Sequence, residues 1–71
     1  MQTVVVSQQA DGWHVEHGGG SNRFSHAAEA YRAGLAQMDR LESDGSRAQL
    51  LMVTGPEGGP RSYEAFVRFE G

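Results

Sequence analysis

The sequence predicts an α+β fold in the order β-β-α-β-β, with an antiparallel four-stranded sheet and one helix packed on one face. Three observations carry that expectation. Apolar residues alternate with period two over Trp13-His14-Val15-Glu16-His17 and again from Ser62 to Glu70. Between these runs Ala27, Ala30, Tyr31, Gly34, Leu35, Met38 and Leu41 recur at spacings of three and four, the period of a helix face. Gly-, Asp- and Pro-containing breaks separate the runs.

Taken in order, Thr3-Val4-Val5-Val6-Ser7-Gln8-Gln9 is short and rich in β-branched residues, which suits a strand. Asp11-Gly12 follows and predicts a hairpin, because this pair tolerates the positive φ of a tight turn. In the second strand Trp13, Val15 and His17 share one face, and His14 and Glu16 share the other. Gly18 to Ser25 reads as a loop. The helical pattern runs from His26 to about Leu41, with Ser25 as the expected N-cap, its hydroxyl accepting from a free amide of the first turn. Ser43-Asp44-Gly45-Ser46 ends the helix, and Gly45 suits a left-handed exit. Gln49-Leu50-Leu51-Met52-Val53-Thr54 is apolar on both faces, as a central strand is, and Gly55 to Pro60 is a loop. In the last strand Tyr63, Ala65, Val67 and Phe69 alternate with Glu64, Phe66 and Arg68.

One helix covers one sheet face. Val4, Val6, Trp13, Val15, Val67 and Phe69 are the expected covered set, against Tyr31, Leu35, Met38 and Leu41. The other face then carries Val5, His14, Phe66, Arg68 and one of the two apolar sets of Gln49–Thr54, which reads either as a dimer or partner surface or as apolar residues scattered singly, as on any surface.

The bulk composition fits that picture. Seventy-one residues make one domain, 1–71, which buries about 60% of its unfolded surface and needs a staple or a partner. Cysteine is absent, so disulfides and thiolate metal sites are excluded, and oligomerisation or a well-packed single core remains. The net charge of −3 works against binding to a phosphate backbone. All six basic residues are arginine, so neither a Schiff-base lysine nor a Walker lysine exists. The N-terminal apolar run is three valines with no preceding positive charge, neither a secretory signal nor a membrane span, and a cytoplasmic location is expected.

The stretch Val15-Glu16-His17-Gly18-Gly19-Gly20-Ser21-Asn22-Arg23-Phe24-Ser25-His26 invites a chemical reading. Glycines before a helix can cradle phosphate, but the Walker lysine and the spaced dinucleotide glycines are both missing. His14 and His17 are three apart in a strand and point to opposite faces. His17 and His26 could approach across the loop with Glu16 or Glu29 as a third ligand, but zinc sites need three or four such ligands converging, and metal binding is not expected. No nucleophile elbow surrounds any serine, and Glu16 with Glu64 suits a solvated sheet face better than a carboxylate pair. The expectation is therefore a joint between sheet and helix, with no cofactor, no metal and no catalysis.

The run Asp11-Gly12-Trp13-His14-Val15-Glu16, then Phe24 and Glu29-Ala30, resembles a small bacterial family with a D-G-W-x-V strand, a glycine-containing break and an E-A helix. It is also distantly similar to HicB-like antitoxin domains, which share a β-β-α-β core. The resemblance spans about residues 3 to 42 and implies a sheet-plus-helix fold and dimers. It transfers no catalytic residue. Those families place Thr or Ser three residues before the Glu as a capping box, whereas His26 stands there in this chain. HicB-like domains also carry a separate DNA-binding segment, for which these residues leave no room.

The functional expectation is a noncatalytic protein-binding module, a homodimer acting through the open sheet face or a sheet edge. Small acidic phage accessory proteins that modulate a host protein belong to the same class. Val5, His14, His17, Arg23, Phe66 and Arg68 are the candidate contact residues. The alternative is a nucleic-acid-binding or antitoxin-like module using Arg23, Arg61 and Arg68.

Overall fold

The computed structural model describes residues 1–56 and 58–67. It is an α+β fold with the strands β1 (Gln2–Gln9), β2 (Gly12–His17) and β3 (Gly20–Phe24), the helix α1 (Ala27–Ser43), and the strands β4 (Ala48–Thr54) and β5 (Ser62–Val67). The five strands form one sheet in the order β3-β2-β1-β4-β5.

Two features correct the expected four-stranded antiparallel sheet. Gly20–Phe24, read from sequence as loop, is a strand, paired antiparallel to β2 with His17 opposite Gly20. Gly18-Gly19 is thus a two-residue hairpin turn, and the glycine run returns the chain to the sheet instead of releasing it. Secondly, β1 and β4 pair in parallel. Two hairpins leave β3 running in the direction of β1, and α1 returns the chain so that β4 starts from the same end. A parallel neighbour requires such a helical crossover.

The first hairpin has Ala10 and Asp11 at its tip, with Gln9 opposite Gly12. Neither tip residue has positive φ; Gly12 takes it instead, at +134°. A Cβ there would also lie 2.7 Å from the Phe24 carbonyl oxygen.

The core lies between α1 and one sheet face. Val4, Val6, Val15, Leu50, Ala30 and Met38 are buried together, with Trp13, Phe24, Tyr31, Leu35 and Leu41 packed around them. Gly34 is the point of closest approach: a Cβ would sit 2.7 Å from Leu50 Cδ1 and 2.9 Å from Val6 Cγ2. The helix N-cap is His26, without a side-chain capping bond, so neither Ser25 nor His26 caps by its side chain. The C-terminus closes as a Schellman turn: Gly45, at φ +87°, donates its N–H to the Glu42 carbonyl, and Ser46 donates to the Leu41 carbonyl.

Candidate interaction surface

Register assigns every strand residue to a face, because residues directly opposite each other point the same way. Val4 pairs with Leu50 and Leu50 with Phe66, so Phe66 lies on the helix side. Its ring meets Tyr31 edge-on, with centroids 5.9 Å apart. This corrects the placement of Phe66 on the open face. Val67 changes sides with it and lies on the open face, 43% exposed. Phe69 and Arg68 lie outside the described residues.

The open face is built from three rows across the sheet. The first runs Ser21, Glu16, Val5, Leu51, Ala65, and the second Arg23, His14, Ser7, Val53, Tyr63. The third joins Thr3, Gln49 and Val67, with Gln49 Nε2 donating to Thr3 Oγ1 at 3.0 Å. The face is polar over β3 and β2 and turns apolar over β1, β4 and β5. Val5 and His14 lie on it as expected, both half-buried. His17 instead shares the helix side with Trp13 and Val15, and its Nδ1 accepts from the Gly19 N–H at 3.2 Å. Arg23 belongs to a paired strand, not to a mobile loop.

The two sheet edges differ. The β3 edge is Gly20-Ser21-Asn22-Arg23, polar and charged, closing on Phe24. The β5 edge is Ser62-Tyr63-Glu64-Ala65-Phe66-Val67, with unbroken register against β4. It carries no lysine, no proline and no bulge, and its one charge among the described residues, Glu64, lies on the helix side, so of the devices that normally protect an edge strand it has a single acidic residue. Tyr63 is 66% exposed, and with Val67 it supplies two of the three exposed large apolar side chains among the described residues. The helix leaves this strand bare: α1 packs over β1, β2, β4 and part of β3, and among the described residues it meets β5 through the Tyr31–Phe66 contact.

The polar groups cluster at the other end of the open face. His14 Nε2 lies 2.8 Å from Asp11 Oδ1, and Arg23 donates from Nη1 to the Asp11 carbonyl at 2.9 Å. The imidazole hydrogen bond holds the Asp11 carboxyl below the usual carboxylate range. Ser7 stands directly opposite His14, so the row superficially arranges a hydroxyl, an imidazole and a carboxylate. Ser7, however, is 5% exposed and its Oγ accepts from Gln9 Nε2 at 2.9 Å, which denies a substrate access to it. Arg61 donates to the Gln8 carbonyl, and the Gly55 N–H donates to Gln8 Oε1 at 2.9 Å, so the loop after β4 is tied to the end of β1. The structure thus brings Arg23 and Arg61 to the same end of the sheet, each with its guanidinium engaged by a backbone carbonyl. Among the described residues no three His, Asp or Glu side chains are grouped as metal ligands, and no helix is long and apolar enough to cross a membrane.

Comparison with known proteins finds no match among family models, curated proteins or solved structures.

Proposed function

We propose that this chain is a noncatalytic protein-binding module whose contact surface is β5 together with the apolar half of the open face. The observation that carries the reading is the coincidence, on one strand, of an edge protected by a single charge, Glu64, and exposed apolar side chains, Tyr63 and Val67. An exposed edge offers unpaired N–H and C=O groups to an incoming strand, and the side chains on its face add specificity to those backbone bonds. The opposite edge, headed by Ser21, Asn22 and Arg23, lacks the apolar half of that combination. Val5 and Leu51 extend the surface inward from β5, and His14 and Glu16 form its polar margin.

The test uses the full chain as bait in extract of its native cell, captured with a short cross-linker. A bound protein, this chain itself included, is expected to be retained by wild type and by Arg23→Ala and lost with Tyr63→Glu. An identical set of captured proteins with Tyr63→Glu would remove β5 from the contact surface.

A further inference from the structure

The identity of a partner follows from the pattern of β5, on the reading that β5 is the contact strand. We infer that the partner is a second copy of this chain, its β5 pairing antiparallel with the first across a two-fold axis that sets Ala65 opposite Ala65.

The register follows by elimination. A two-fold axis perpendicular to the sheet keeps both helices on one side, and it must pass beside a residue that then faces its own copy. Centring on Glu64 sets two carboxylates directly opposite each other, which is repulsive. Centring on Tyr63 or Phe66 leaves half of Ser62–Val67 unpaired. Centring on Ala65 pairs Tyr63 with Val67 twice on the open face and Glu64 with Phe66 twice on the helix side. The two exposed large side chains of the strand become each other's cover. Among the described residues α1 stops short of β5 and does not wall off its edge.

Head-to-tail pairing of β5 with β3 of another copy fails by comparison. It would set Arg23 among Tyr63, Ala65 and Val67 on the open face, with no acidic group of β5 on that side, because Glu64 points to the helix side. It would also propagate as an open filament instead of closing.

The area sets the strength. Five paired residues, Tyr63 to Val67, make an edge about 17 Å long and about 10 Å thick, on the order of 200 Å² per partner against the roughly 800 Å² of a standard interface. The dimer is accordingly weak and transient.

Because the natural chain has no cysteine, single cysteines report the register without background. Ala65→Cys, Glu64→Cys and Tyr63→Cys are oxidised in parallel with glutathione disulfide at about 100 µM protein. Ala65→Cys is expected to form a disulfide-linked dimer at least about tenfold faster, since residues opposed across the axis fall within the Cα separation of about 4.4–6.8 Å that a disulfide spans. Equal rates at the three positions would overturn the register. In sedimentation velocity the wild type is expected to move from the 7.7 kDa monomer toward twice that mass as concentration rises; a strict monomer up to about 1 mM would overturn the self-pairing. A strict monomer that still loses an extract partner through Tyr63→Glu would overturn the second copy as partner and leave β5 as the contact strand.

Discussion

Gly34 decides how closely the helix lies on the sheet. Two effects oppose each other when a methyl is added: alanine is favoured over glycine in a helix by about 1 kcal/mol, while overpacking a tight core costs about 1–3 kcal/mol. Leu50 Cδ1 ends a flexible side chain and can turn away, but Val6 Cγ2, 2.9 Å from the added carbon, belongs to a β-branched residue in the buried centre of the sheet. Strain wins, and Gly34→Ala is expected to lower stability by about 1 kcal/mol, or about 4–8 °C in melting temperature for a domain of this size. A raised melting temperature would show that the helix has room to lift. At the surface, Asp11 gives a pH signature. Its carboxyl is held below the usual range by His14, so the bonded state contributes stability above the ordinary carboxylate pKa of about 3.9 and loses it as pH falls through the lowered value. Acid titration of stability is therefore expected to be shallower in Asp11→Asn than in wild type below about pH 4, with equal slopes near neutrality, where wild type keeps its full advantage. Parallel curves would mean that the His14 bond, at an exposed site, is not maintained in solution.

At the scale of elements, legibility follows the strength of the periodic signal. The helix and β1, β2 and β4 were readable because apolar residues at Val4, Val6, Val15, Leu35, Met38 and Leu50 sit at their period positions and are the ones the fold packs together. The helix exit was readable too, since a left-handed residue after the last turn is most easily glycine, and Gly45 takes that conformation. β3 was hidden because Ser21, Asn22 and Arg23 carry no apolar alternation and only Phe24 reaches the core. Its one signal was the Gly-Gly pair after β2, which fits a two-residue turn as well as it fits a flexible exit. The phase of β5 was hidden for a different reason. Apolar residues occupy both parities, Tyr63, Ala65 and Val67 on one and Phe66 on the other, so pattern alone does not choose a face. Pairing with β4 chooses it: Leu50 is buried under the helix and Phe66 is its partner. A one-residue slip would exchange the two sets entirely. The candidate contact set was correspondingly half legible. Val5 and His14 were placed on the open face from sequence, whereas Tyr63 and Val67, now its most exposed apolar members, were identified through register.

At the scale of the whole molecule, the sheet is asymmetric in both directions. One face is closed by α1 and the other is open, while among the described residues one edge is polar and the other presents Tyr63, Ala65 and Val67 beside a single charge, Glu64. That second edge and the apolar part of the open face meet at β5, and that coincidence is the central claim about how this chain acts. It is tested most directly by amide hydrogen exchange measured as a function of protein concentration. An amide bonded across an interface exchanges more slowly as association proceeds, whereas one exposed in monomer and dimer alike does not change. Between about 5 µM and about 500 µM protein, exchange within Ser62–Val67 is expected to slow by several-fold while exchange within Gly20–Phe24 stays constant. Slowing confined to β3 would contradict β5 as the contact strand, and concentration-independent exchange in β5 would overturn its pairing with a second copy.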